Sequence, residues 1–253
     1  HEQIRSPKII SFQQKMIPIE SVMSKVWNKK IFEHIQEEVD QASKDLAEER
    51  GPCPDAADYG INERFSNKTA IAPTASISII CGGTSPGIEP IAANSFTHKT
   101  LSGSFNVRNK YLQQILEKYN KNDDETWSGI TTNQGSVSHL DFLTQKEKNV
   151  FKTAFEINQQ WIVELGADRT PNISQAQSIN IFIPADVHKK ELHQIHFQAW
   201  KKGLKSLYYC RSKSIQRAEN INNGSSTDVK LNVYKSKTEK SDEIEYEECL
   251  SCQ

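Results

Sequence analysis

Two apolar runs, Ser178-Ile-Asn-Ile-Phe-Ile-Pro184 and Leu204-Lys-Ser-Leu-Tyr-Tyr-Cys210, decide the fold class. The first is rich in β-branched residues and bounded by proline, and it reads as a buried strand over Ser178–Ile183. Pro184 ends it, Asp186 can cap a helix running to Lys202, and Gly203 stands just past the end of that helix. Leu204–Cys210 then reads as a second strand. Strand, helix and strand with short connections make a parallel βαβ unit, so the chain is of the α/β class.

Upstream, Thr144 and Glu147 stand at capping-box spacing. The apolar positions Val150, Ala154, Ile157, Trp161 and Leu165 then predict one long amphipathic helix. Ile31, Ile35, Val39, Ala42 and Leu46 mark one face of an earlier helix that Gly51 and Pro52 stop. Pro54–Gly60 is turn-like, Asn62–Asn67 suggests a short helix, Thr69–Ala72 is an extended run ending at Pro73, and Asn109–Lys121 reads as a helix. After Asn220 the periodicity vanishes: Asn222–Thr227 is small and polar, and Lys235–Glu248 is rich in charge. The expected division is a folded part over residues 1–219 and a flexible tail over 220–253.

Composition narrows the function. With 31 Lys+Arg against 32 Asp+Glu, the 253 residues carry a formal net charge of -1, which supplies no basic field for nucleic acid. No apolar run is long enough to span a membrane. The start at His1 is followed by neither a signal nor a transit peptide, and five cysteines without a disulfide-like spacing point to a reducing, cytoplasmic setting. An apolar content of 36% is lean for a self-contained domain of this length.

Several groups of residues could carry chemistry. Pro73-Thr-Ala-Ser-Ile-Ser78 follows an extended run; if a helix starts there, its first N–H groups and the hydroxyls of Thr74, Ser76 and Ser78 could hold a phosphate, while an ordinary capped turn is the alternative. Tyr208 and Tyr209 suit a strand by propensity alone, and two neighbouring rings can stack only at a strand end or a distortion. Cys249-Leu-Ser-Cys252 reads as a redox dithiol in preference to a zinc site, because no second pair of ligands completes a tetrahedron. Glu245, Glu247 and Glu248 beside it disfavour a permanently reactive thiolate. Of His188, His193 and His196 only the last two share a helix face, so no metal is expected there; Cys53 and Cys81 read as small structural residues.

The order of these stretches carries a resemblance. Ala72-Pro-Thr-Ala-Ser-Ile-Ser78, Gly87-Ile-Glu-Pro90, Phe151-Lys-Thr-Ala-Phe-Glu-Ile157, Asp168-Arg-Thr170, Gly203-Leu-Lys-Ser-Leu-Tyr-Tyr-Cys-Arg211 and the terminal Cys-x-x-Cys resemble the large subunit of class I ribonucleotide reductase. The resemblance runs from about Phe12 to Cys252 but corresponds to only the last third or so of that subunit. It implies part of a ten-stranded α/β barrel, its C-terminal portion, followed by a flexible tail. It also implies roles: Pro73, Thr74, Ala75, Ser76 and Ile77 in the loop that binds the substrate diphosphate, Tyr208 and Tyr209 as the stacked pair that passes a radical, and Cys249 and Cys252 as the dithiol that re-reduces the active site.

The implied partners are the N-terminal part of the large subunit, a radical-generating small subunit that holds the metal cofactor, a ribonucleoside diphosphate, and thioredoxin or glutaredoxin as reductant. The chain itself is expected to bind no cofactor and no metal. The radical-bearing cysteine of the family and its acidic and amide neighbours have no match here, and none of Cys53, Cys81 or Cys210 lies in a corresponding motif. Ala176 stands where many members have serine. The chain reads as one part of a composite active site, whether from a split gene or as a portion of a longer protein. The alternatives are a non-catalytic assembly piece and a cobalamin-dependent reductase, against which the tyrosine pair speaks. A glycyl-radical reductase would need a C-terminal glycine loop, and none is present.

Overall fold

The computed structural model of the chain describes residues 12–80, 85–100 and 103–212. The expected tail, with Cys249 and Cys252, lies outside the described residues, as does Cys81.

Helix α1 (Val22–Arg50) begins well before the apolar spacing suggests. The Ser21 hydroxyl caps it by accepting from Ser24 N at 3.2 Å, and Gly51 ends it by donating to Ala47 O at 2.8 Å. Its buried residues are Ser24, Asn28, Phe32, Ser43 and Ala47, while Ile31, Ile35, Val39 and Leu46 are only half-buried and Ala42 is exposed. Polar residues turn inward because each finds a partner: Asn28 Nδ2 donates to Leu165 O at 2.8 Å, and Ser24 Oγ to Ile19 O at 2.5 Å. Ser43 Oγ accepts from the backbone N–H groups of Arg64 and Phe65, which holds 62–67 as an irregular crossing over α1 instead of the expected short helix. The turn-like segment before it contains a single short helix, α2 (Pro54–Asp58), with proline in its first turn.

Helix α3 (Ala75–Ile80) starts where the small-residue stretch follows Pro73. An antiparallel hairpin, β1 (Ser95–Thr100) paired with β2 (Gly103–Arg108) in the register Ser95↔Arg108, has no counterpart in the sequence reading. It leads into α4 (Lys110–Lys118), capped by Asn109, and α5 (Asp124–Thr132), capped by Asp123.

The long helix expected after Thr144 is two helices. Thr144 and Glu147 do form a reciprocal capping box, but α6 (Gln145–Val150) stops there and α7 (Gln159–Arg169) restarts under an Asn158 cap. The intervening backbone bonds to tertiary partners instead of continuing a helix: Phe151 O accepts from Asn94 Nδ2 at 2.7 Å and Ala154 N donates to Ile91 O at 2.9 Å. Gln159 Nε2 then takes both Ala154 O and Ile157 O. Ala154 and Ile157 are buried as the periodicity implies, without being helical. Thr144→Ala removes one side of the box and is expected to lower stability by about 1 kcal/mol. A reduced urea midpoint at unchanged slope is the measurement that checks it.

A short 3-10 turn over Thr170–Asn172 separates α7 from β3 (Ile181–Ile183), which α8 (Lys189–Lys201) connects to β4 (Cys210–Ser212). β3 and β4 pair in parallel, Ile181 opposite Cys210, completing the βαβ unit. β3 keeps only Ile181–Ile183 of the expected Ser178–Ile183, and β4 lies at Cys210–Ser212 instead of the expected Leu204–Cys210, because regular pairing begins only where the chain meets Ile181. The cap of α8 is His188, whose Nδ1 accepts from Lys190 N at 3.1 Å, and not Asp186. Gly203 adopts φ 76°, the left-handed conformation that terminates the helix behind its Lys202 cap.

The segment 175–183 is the spine of this unit. Its first half lies beside Thr69–Ile71, with a parallel bridge between Ile71 and Gln177 and with Ser178 N donating to Ile71 O at 2.8 Å. Its second half lies beside the chain entering β4, with Tyr208 N donating to Ile179 O at 2.8 Å and Ile181 N to Tyr209 O at 2.9 Å. One core, including Phe32, Val163, Leu165, Ile179, Ile181 and Ile195, joins α1, α7, β3 and α8. A second, including Leu112, Leu116, Trp127, Ile130, Val137 and Phe151, lies under α4 and α5.

Candidate functional site

Tyr208 and Tyr209 sit in the extended lead-in to β4, before the ladder begins. That position relieves the alternation of a regular strand. Their ring centroids are 4.1 Å apart with planes tilted by 51°. Both residues remain about two-fifths exposed, at 42% and 43%, although the backbone of each is bonded to the spine. The Arg211 guanidinium stands 5.5 Å from the Tyr209 ring centroid. Cys210 between them is a free thiol whose pKa burial pushes up, which disfavours the thiolate.

Pro73, Thr74, Ala75, Ser76 and Ile77 leave the other edge of the spine. Thr69–Ile71 runs parallel to it and Pro73 turns the chain into α3. Thr74 N donates to Pro86 O at 2.8 Å, and its carbonyl accepts from Ser78 N at 2.7 Å. Ser78 Oγ turns back to Ala75 O at 2.6 Å, so that hydroxyl is engaged within the helix. Thr74 Oγ1 is enclosed with no hydrogen-bond partner among the described residues, while Pro73 and Ser76 are exposed. The spine therefore brings the small-residue loop and the tyrosine pair to its two edges.

Against the same spine, at Asn180, lies a buried charged group to which the residues alone assign no role. Glu89, 3% exposed, accepts the backbone N–H of Asn180 through Oε1 and faces Asn180 Nδ2 at 3.4 Å through Oε2. Burial raises its pKa; the Asn180 bonds and the nearby Arg169 charge work against that rise. Arg169, also 3% exposed, donates Nε to Gln177 Oε1 at 2.5 Å and lies 5.9 Å from the Phe32 ring centroid. Desolvation brings its pKa down to about 10, with Glu89 and Asp168 opposing, so it stays charged at neutral pH. A cavity of about 10 Å³, lined by these two charges with Phe12, Ile19, Ile162 and Leu165, has room for about one water. The available signal was a charged residue inside each of two short motifs, Gly87-Ile-Glu-Pro90 and Asp168-Arg-Thr170.

The histidines of α8 are occupied locally: His188 caps the helix, His193 stacks on Phe197 with centroids 6.0 Å apart, and His196 Nδ1 contacts Leu192 O at 2.8 Å. Among the described residues no group of three or more His, Cys, Asp or Glu could hold a metal ion. No described helix is long and apolar enough to cross a membrane.

Residues 55–210 match the family described as "Ribonucleotide reductase, barrel domain". The chain belongs to that family. Its mixed α/β fold is that of the family's barrel, and it corresponds to the barrel region of the large subunit of class I ribonucleoside-diphosphate reductases. It is 47% identical over 213 residues to the ribonucleoside-diphosphate reductase large subunit of Invertebrate iridescent virus 6, a match covering 83% of this chain and 22% of that protein. Against the large subunit of Invertebrate iridescent virus 3 the identity is 44% over 218 residues, covering 85% of this chain and 34% of the relative. Among solved structures, the Actinobacillus ureae class Id ribonucleotide reductase alpha subunit superposes with a TM-score of 0.75 at 34% identity, covering 84% of this chain and 38% of that one. The chain thus spans about a fifth to a third of the length of these two viral relatives.

Proposed function

We propose that this chain forms the C-terminal part of a composite large subunit that reduces ribonucleoside diphosphates to deoxyribonucleotides. The observation that carries the reading is the contact of Tyr208 and Tyr209, 4.1 Å between centroids, held by backbone bonds on the spine whose other edge leads into the Pro73–Ile77 loop. In this reading one tyrosine gives an electron and a proton to an oxidised residue of a radical-generating small subunit and becomes a neutral radical. It then recovers both from the other ring, so the unpaired electron moves inward while no net charge is left in the protein. Contact between the rings makes that exchange short-range.

The loop at Pro73, Thr74, Ala75, Ser76 and Ile77 holds the substrate diphosphate. The enclosed Thr74 hydroxyl, which has no hydrogen-bond partner among the described residues, and the first-turn N–H groups of α3 are donors of the kind an anion takes. Cys249 and Cys252 of the tail return electrons to the active site, and thioredoxin or glutaredoxin reduces them in turn. The metal cofactor that generates the radical belongs to the small subunit, and the upstream part of the large subunit supplies the radical-bearing cysteine. A reducing, cytoplasmic compartment suits free thiols.

Combined with the upstream part of a large subunit and a small subunit, the chain is expected to support formation of deoxycytidine diphosphate from cytidine diphosphate. Purified alone with any small subunit it is expected to form none. Turnover by the isolated chain contradicts the composite reading, and failure of any upstream part to restore turnover favours the assembly piece.

A further inference from the structure

Burying a carboxyl group is costly unless it is hydrogen-bonded, so its partners are held to it. Glu89 is such a group, and its bonds link the Thr74 loop region to the middle of the spine. On one side Ser85 Oγ donates to Glu89 O at 2.7 Å, and the adjoining Pro86 O accepts from Thr74 N at 2.8 Å. On the other side the carboxylate takes the N–H of Asn180. Asn180 lies between the two residues that bond the tyrosine pair: Ile179 O accepts from Tyr208 N, and Ile181 N donates to Tyr209 O. The fit around the carboxylate is close. A Cβ at Gly87 would come within 2.4 Å of Glu89 Oε2, so a side chain at residue 87 would push the carboxylate from its present position beside Asn180.

We propose that Glu89 is a positioning residue that locks the segment Ile179–Ile181 against the Thr74 loop and thereby sets where Tyr208 and Tyr209 stand. The inference rests on the radical-transfer reading of the pair. Glu89 touches neither ring; it acts through the backbone of Asn180. Displacing a reacting group by about 1 Å can reduce a rate by about a hundredfold, so a small shift of the spine has a large readout.

The test uses the complete large subunit with its small subunit and cytidine diphosphate, comparing Glu89→Asp and Glu89→Gln with the parent. Asp is one methylene too short to hold the Asn180 N–H from the same backbone position, whereas Gln keeps an acceptor oxygen there. Glu89→Asp is expected to lower kcat by about tenfold to a hundredfold with KM within about threefold, and Glu89→Gln to recover most of it. Amide exchange read by mass spectrometry supplies a measure that needs no activity. In Glu89→Asp the peptides covering 179–183 and 208–212 are expected to exchange faster, with those of α4 and α5 unchanged. Parent-like kcat and exchange in Glu89→Asp overturn the proposal, as does faster exchange throughout the chain with Gln no better than Asp. Tyr208→Phe in the same preparation separates the two readings: if it turns over normally, the radical-transfer reading falls and takes this inference with it. If it is inactive while Glu89→Asp is parent-like, only the Glu89 inference falls.

Discussion

Arg169→Ala is expected to destabilise the chain by about 3–5 kcal/mol, the range for removing one member of a buried charged cluster. Three losses combine at this position. Gln177 Oε1 loses the Arg169 donor in a buried site, Phe32 loses the side chain beside its ring, and Glu89 keeps its carboxylate without the neighbouring positive charge. Asp168 is affected less, because Lys25 at 3.5 Å and Lys29 at 3.8 Å still face it. The check is a urea titration of Arg169→Met, Glu89→Gln and the double variant. Met restores apolar contact but not charge, so it should remain strongly destabilised alone and be partly rescued when Glu89 is neutralised as well. A coupling of about 0.5–3 kcal/mol between the two sites is the expected signature of groups sharing one network. Additive effects would mean that the two charges act independently.

Tyr208→Phe is expected to bring nucleotide reduction by the assembled enzyme down by a thousandfold or more, equivalent to about 4 kcal/mol on the barrier. Phenylalanine preserves the ring that packs 4.1 Å from Tyr209 and leaves Tyr208 N free to donate to Ile179 O, so the fold and the spine should survive. What it removes is the phenolic proton. Loss of an electron from a phenyl ring yields a cation, which a partly desolvated site disfavours, whereas loss of an electron and a proton from tyrosine yields a neutral radical. Tyr209→Phe should behave in the same way. The measurements are kcat per folded large subunit and equilibrium binding of cytidine diphosphate, which should stay within about threefold of the parent because the substitution is remote from the substrate loop. Unchanged turnover would leave this chain only a scaffold role.

How far each feature could be read from the residues depended on where its determinants lie. The βαβ unit was legible because period, breakers and caps are local: Pro184 and Gly203 punctuate it in sequence. Its extents were less so, since the ladder needs a partner strand and regular pairing covers only Ile181–Ile183 and Cys210–Ser212. The split between α6 and α7 could not be read from periodicity, because Val150, Ala154 and Ile157 are buried in either arrangement. The backbone leaves the helix for bonds to Asn94, Ile91 and Gln159, contacts that apolar spacing does not encode. The hairpin is not legible in the residues for a similar reason, as Ser95–Thr100 has no apolar alternation of its own.

For the candidate site, the order of short motifs along the chain, through the resemblance it carries, singled out the loop at Pro73–Ile77, the tyrosine pair and the Cys249/Cys252 pair as candidates; each stretch alone is weak. Only the tertiary structure set the first two on opposite edges of 175–183 and placed Tyr208 and Tyr209 outside the regular ladder, where neighbouring rings can meet. It alone set Glu89 against the spine at Asn180, since the environment of a buried charge is made by residues as distant in sequence as Phe12, Arg169 and Asn180. Local chemistry is written in consecutive residues; desolvation and placement arise only when separate segments close around them.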